Sequence, residues 1–136
     1  MLHLPRTITT PLPLMVATGN GEAELTGELR YDPSDPFAVS LAIGTECGEP
    51  VIWTFARDLL ADGVKEPAGE GDITIEPASD LDSRELRITL ATDSLATLLA
   101  PRDRVVEFLV EAFTVLPSGA EFDTIDFDAE ISALLG

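Results

Sequence analysis

The stretch Val51–Val64, VIWTFARDLLADGV, decides how this chain folds. Val51, Trp53 and Phe55 fall on one face at period 2, the mark of a strand. The run then turns helical, and Leu59 and Leu60 are expected to point back onto a sheet. Ala61, Asp62 and Gly63 end that helix, with Gly63 suited to a left-handed residue just past the last turn. A strand that hands its chain to a short helix at mid-sequence is a pivot. Strand-like segments precede it, and a hairpin and helices follow.

Upstream, Thr7 to Ala17 reads as extended but carries Pro11 and Pro13. Proline gives no donor to a ladder, so this strand is expected at a sheet edge, or starting after Pro13. Gly19-Asn20-Gly21 is a turn signal. Glu22 to Tyr31 alternates, with Ala23, Leu25, Leu29 and Tyr31 inward and Glu22, Glu24, Thr26, Glu28 and Arg30 outward. Gly27 falls in the inward register, as a bulge or a point of close packing. Asp32-Pro33-Ser34-Asp35-Pro36 is a turn. Phe37, Val39, Leu41 and Ile43 then alternate with Ala38, Ser40 and Ala42. With the pivot strand this makes an antiparallel meander of four strands.

Downstream, Lys65 to Gly71 reads as a loop. Two strands follow, Asp72 to Glu76 and Glu85 to Ala91, with Ile73, Ile75, Leu86, Ile88 and Leu90 inward. Asp93 or Ser94 is expected to cap a short helical turn through Ala100, and Pro101 to occupy the first position of a longer helix. Val105, Phe108, Leu109, Ala112, Phe113 and Leu116 form one stripe of that helix. Pro117 and Gly119 stop it, and a last helix is expected from about Asp126 to Leu134, with Phe127, Ile131, Leu134 and Leu135 on one side. The fold class is α+β: a meander sheet, a short central helix, a hairpin and C-terminal helices.

At 136 residues the chain is sized for one domain, here residues 1–136, with no internal repeat or linker. No apolar run approaches the roughly 18 to 20 residues of a membrane span, so direct membrane insertion is not expected. The single Cys47 and the absence of a secretory pattern fit a cytoplasmic protein. Twenty-five acidic residues against eight basic ones give a net charge of −17. Such a surface repels nucleic acid and suits a basic patch on a partner protein.

Catalytic chemistry finds little support. Asp123, Asp126, Asp128 and Glu130 suggest hard-cation ligands, but they lack the spacing and glycine of a calcium loop. They read better as acids at a helix N-terminus. Gly69-Glu70-Gly71-Asp72 lacks the lysine and following helix of a phosphate loop, and it enters a strand, so it is a turn. The sole histidine, His3, lies at a terminus. Arg57-Asp58 reads as a local ion pair at a helix start. Trp53 with Phe55 could stack single-stranded bases, although both share the inward register of their strand. No catalytic, cofactor or metal residue is therefore assigned.

Three motifs carry a resemblance: LRYDPSDPFAV at Leu29–Val39, WTFARDLLADGV at Trp53–Val64 and GEGDITIEP at Gly69–Pro77. A weaker match runs from Leu116-Pro117-Ser118-Gly119 to Phe127-Asp128-Ala129-Glu130. Together they resemble the SsgA-like proteins, sporulation and cell-division regulators of actinomycetes. The chain departs from the family pattern at Glu76-Pro77, where Trp-Pro is usual, at Phe37, where Tyr is usual, and at Asp93-Ser94-Leu95, where a glycine-containing loop is common. The resemblance implies a non-enzymatic protein at the division septum that recruits the tubulin-like GTPase FtsZ and promotes its polymerisation. It also implies positioning by a paralogous SsgA-like regulator and a homotrimer of whirly-like sheet-and-helix architecture. The alternative is a single-stranded nucleic-acid-binding module of that architecture. The signature residues Tyr31, Asp32, Asp35, Pro36, Trp53, Phe55, Arg57, Asp58, Leu59, Gly63, Gly71 and Asp72 are expected to be structural. Tyr31, Trp53, Phe55 and Leu59 would fill the core, and Asp32, Asp35 and Asp72 would close turns.

Overall fold

The computed structural model describes residues 7–18, 21–44, 48–79, 84–91 and 95–116. Its strands are β1 (Ile8–Thr18), β2 (Gly21–Tyr31), β3 (Ala38–Ile43), β4 (Val51–Ala56), β5 (Ala68–Glu70), β6 (Ile73–Pro77), β7 (Glu85–Ala91) and β8 (Leu95–Pro101). Helix α1 (Arg57–Gly63) follows β4, and α2 (Arg102–Val115) follows β8. One antiparallel eight-stranded sheet runs in the order β4-β3-β2-β1-β8-β7-β6-β5. Two meanders, β1–β4 and β5–β8, thus meet where the first strand pairs with the last.

One face of this sheet is the core. Leu12, Leu14, Leu29, Tyr31, Val39, Leu41, Phe55, Ile75, Leu86, Ile88 and Leu98 are buried on it at period 2. Helix α2 packs over the seam of β1, β8 and β7, placing Val105, Phe108, Leu109 and Ala112 on the sheet. Helix α1 touches β4 at one edge and β5 and β6 at the other. Its Leu59 and Leu60 are buried.

Several expectations are corrected. The strand with two prolines is not an edge and does not wait for Pro13: it begins at Ile8 and lies mid-sheet. Its ladder with β2 is continuous from Ile8↔Tyr31 to Thr18↔Gly21. Because proline cannot donate, that ladder requires the ring nitrogens of Pro11 and Pro13 to face away from β2, toward β8. On that side β1 pairs only at Met15↔Leu99 and Val16↔Leu98. The prolines therefore sit where a mid-sheet strand is locally an edge.

The expected helical turn before Pro101 is instead β8, paired along its length with β7 from Ala91↔Leu95 to Glu85↔Pro101. Leucine and alanine are strong helix formers, but propensity is only a small preference, and burial of Leu98 and Ala100 on alternate positions outweighs it. Pro101 consequently caps α2 with extended ψ rather than entering it. The expected loop Lys65–Gly71 contains β5, whose hairpin with β6 turns through Gly71 at φ +60. Gly27 makes no bulge: a Cβ there would lie 2.6 Å from the Leu12 carbonyl oxygen. The last expected helix, Asp126 to Leu134, lies outside the described residues, as does the acid cluster Asp123–Glu130.

Candidate functional site

The register of β4 runs one step further than the strand. Trp53 and Phe55 face inward opposite Leu41 and Val39, while Val51, in the same register opposite Ile43, is exposed at the start of the strand, and Arg57 takes the next inward position as the first residue of α1. The Arg57 amide donates to the Phe37 carbonyl at 2.7 Å, which turns the chain into the helix. The Arg57 side chain is the buried charge of the described core, 1% exposed. The expected ion pair with Asp58 does not form, because Asp58 is exposed on the opposite side while Arg57 points inward.

There Arg57 Nη1 donates to the Leu116 carbonyl at 2.7 Å, the Tyr31 hydroxyl at 3.0 Å and the Ala112 carbonyl at 3.3 Å. The guanidinium lies 4.0 Å from the Phe113 ring centroid and 5.0 Å from that of Tyr31. A cation at the last carbonyls of α2 adds a second donor to Ala112, gives the Leu116 carbonyl its partner and opposes the negative end of the helix dipole. Leu116 stands before Pro117 and is extended, φ −145 and ψ 96, as the proline demands. The Tyr31 hydroxyl in turn donates to the Pro36 carbonyl at 3.1 Å. One side chain thus joins β2, the turn after it, α1 and the end of α2.

The turn itself is held by Asp32. Its Oδ1 accepts from the Ser34 amide at 2.9 Å and from the Ser34 hydroxyl at 2.8 Å, and the Asp35 amide donates to the Asp32 carbonyl at 2.8 Å. The Ser34 amide, and after it the hydroxyl, hold the Asp32 carboxyl below its ordinary value. Asp35 and Asp72 take part through their main chains: the Asp35 carbonyl accepts from Ala38 and the Asp72 carbonyl from Ala91. Gly63 is not left-handed. It is the last residue of α1, and a Cβ there would lie 2.5 Å from Ile75 Cγ2 and 2.9 Å from the Ile75 carbonyl oxygen. Glycine is needed there for close packing of α1 on β6.

Among the described residues, two concave surfaces could take a ligand or partner. On the outer face of the sheet, a cleft of about 580 Å³ lies where β1 and β8 part, walled by Pro11, Pro13, Met15, Leu99 and Pro101 and edged by Glu24. On the other side, a groove of about 390 Å³ runs between α1 and α2. Phe37, Val51, Ile52, Leu95 and Val110 are large apolar side chains exposed to solvent. Trp53 is half-buried against the core and Phe55 is buried, so the two do not form a stacking platform for bases. Among the described residues no group of three or more His, Cys, Asp or Glu side chains gathers as metal ligands, and no helix is long and apolar enough to cross a membrane.

The sheet, the two helices and the buried arginine define a small α+β module in which, among the described residues, Arg57, Tyr31 and Asp32 bond within the fold. Its relatives agree on what kind. Residues 25–121 match the sequence model of the family described as SsgA, the Streptomyces sporulation and cell division protein. The sporulation-specific cell division protein SsgB of Frankia casuarinae is 40% identical over 130 residues, covering 94% of this chain and 91% of that protein. SsgB of Streptomyces coelicolor is 35% identical over 135 residues, covering 98% and 92%. The crystal structure of the SsgA-like sporulation-specific cell division protein from Thermobifida fusca superposes with a TM-score of 0.84 at 34% identity, covering 98% of both chains. The chain belongs to the SsgA family of sporulation and cell division proteins.

The signature motifs fall on the Arg57 node and its surroundings. LRYDPSDPFAV supplies Tyr31, the Asp32 turn and Pro36, WTFARDLLADGV supplies Phe55, Arg57, Leu59 and Gly63, and GEGDITIEP supplies the β5–β6 hairpin. Sequence reasoning missed the role of Arg57. The signal that finds it is the period-2 register of β4, read one residue past the strand.

Proposed function

We propose that this chain is a non-enzymatic, single-domain adaptor of sporulation-linked cell division, which acts at the septum as a homo-oligomer, a trimer in our reading. It recruits FtsZ, promotes its polymerisation and is itself placed by a paralogous SsgA-like regulator. The observation that carries the reading is where the polar groups go. Arg57, Tyr31 and Asp32, the signature residues best equipped for chemistry, are engaged in the node and the turn beside it, while apolar side chains such as Ile52 and Leu95 are exposed for protein contact. The protein is cytoplasmic on this reading, needs no cofactor and assembles in the whirly-like manner that the family resemblance implies. Multivalency supplies the mechanism: several copies of one weak site raise avidity for a polymer without any new contact.

Co-sedimentation with polymerised FtsZ, with and without GTP, tests the partner. Enrichment in the GTP pellet is expected. A folded, oligomeric protein that stays in the supernatant would remove FtsZ as partner and point to a paralogue acting upstream. Analytical ultracentrifugation tests the assembly: a monomer at micromolar concentration would end the multivalent mechanism.

A further inference from the structure

Helix α2 carries more apolar surface than its packing on the sheet uses. Beside the buried stripe of Val105, Phe108, Leu109 and Ala112 runs a second row, Val106, Val110 and Phe113, at i, i+4 and i+7. Val110 is 60% exposed. Across from this row, Ala61 and Val64 at the end of α1 form the other wall of the groove. Arg102 Nε donates to the Val64 carbonyl at 3.3 Å and ties the start of α2 to the end of α1, so the walls are held together. The volume of about 390 Å³ lies within the range of roughly 300–1,000 Å³ typical of binding clefts.

The charge of the lining is what points to an occupant. The whole chain has 25 acidic residues and eight basic ones, yet among the described residues the groove is lined by two cations, Lys65 and Arg102, and by no carboxylate. Lys65 is exposed and makes no ion pair among the described residues. A protein this acidic repels acidic partners at long range, so a local pair of cations beside an apolar trough selects for carboxylates flanking apolar side chains. A concave trough between two helices also matches the recurring way in which an amphipathic helix is bound, through side chains at i, i+3, i+4 and i+7.

We propose that the α1–α2 groove is a docking site for an acidic amphipathic segment of a partner protein. Its apolar side chains seat between Val64, Val106 and Val110, and its carboxylates lie over Lys65 and Arg102. This holds whether or not FtsZ is the partner.

The test is a methyl NMR titration of the full chain with a designed helical peptide bearing leucine on one face and glutamate on both flanks. A second peptide with lysine in place of glutamate serves as control. The glutamate peptide is expected to shift the methyl signals of Val64, Val106 and Val110, and the lysine peptide to leave them in place. Lys65→Glu should weaken the glutamate peptide roughly fivefold, and Val110→Asp by roughly tenfold or more. Both positions are exposed, so both variants should keep the wild-type fold, which their own spectra report. Equal response to both peptides, or shifts confined to the outer-face cleft, would overturn the proposal. Residues 117–136 of the same chain also combine acids with apolar residues, as in Asp126, Phe127, Asp128, Glu130 and Ile131. Contacts from those residues to the Val110 methyls in the absence of peptide would make the groove internal and equally overturn the partner assignment.

Discussion

Replacing Arg57 with methionine isolates what the guanidinium does, because methionine keeps most of the stem and packs against the Phe113 ring. Among the described residues three acceptors lose a donor, but not equally. The Tyr31 hydroxyl keeps its bond to Pro36, and the Ala112 carbonyl keeps the Leu116 amide at 3.0 Å. The Leu116 carbonyl, which takes the shortest Arg57 bond, is left without either, in a residue that is buried. A charged hydrogen bond is worth about 1.5–3 kcal/mol, and a desolvated cation–π contact about 2 kcal/mol. Against this, the variant no longer has to desolvate a cation, a penalty of several kcal/mol in a real interior. The balance is a net loss of about 2–4 kcal/mol. Urea unfolding followed by the single tryptophan, Trp53 in the neighbouring strand, measures it. An unchanged midpoint at unchanged slope would show that desolvation cancels the bonds, and would refute Arg57 as the tie between α1 and α2. Arg57→Lys separates charge from shape: a point charge cannot lie flat on Phe113, so most of the loss should persist.

Gly63→Ala would gain about 1 kcal/mol in an exposed helix. Here the added methyl meets the Ile75 side chain and carbonyl, so a net loss of about 1–3 kcal/mol is expected in thermal denaturation. Trp53→Ala should cost about 2–3 kcal/mol, less than the 3–5 of a fully buried tryptophan, because the ring is half-buried; chemical denaturation read by far-UV circular dichroism decides it. Ser34→Ala removes the hydroxyl donor to Asp32 but leaves the amide, so the Asp32 titration should move up toward the ordinary carboxyl range by NMR. Because the folded value is depressed, this turn adds stability above the unfolded carboxyl pKa of about 3.9, and loses it as pH falls through the lower folded value.

The strands were legible wherever one face alone is buried. Glu85–Ala91 is read to the residue, and the meander of β1–β4 follows from alternation and turn chemistry. What escaped are places where distant contacts overrule local preference. Leu95–Pro101 carries helix-forming leucine and alanine, and only its pairing with β7 and β1 makes it a strand. Ala68–Glu70 is three residues long, too short to show a period. Pro11 and Pro13 suggest an edge strand because they cannot donate, yet nothing local shows that their nitrogens face the one side of β1 where pairing is confined to Met15 and Val16. Gly63 was recognised as a glycine with a reason, and the reason lies in Ile75, which packs against it only once α1 folds onto β6. Arg57 looked like half of a surface pair because its sequence neighbour is acidic, while its real partners stand 26, 55 and 59 residues away.

The seam between β1 and β8 has a consequence for how the chain is made. The first strand can pair with β2 as soon as β2 follows it from the ribosome, but its other side waits until β8, at Leu95–Pro101, has been synthesised. A nascent strand with one open side is the usual starting point for mispairing between chains. Pro11 and Pro13 withhold two donors from that side throughout the wait, and pairing is left to the short Met15–Val16 step that β8 alone completes. The prolines that interrupt the centre of the sheet thus limit what a stray strand could pair with during synthesis, and they line the cleft where the two meanders part.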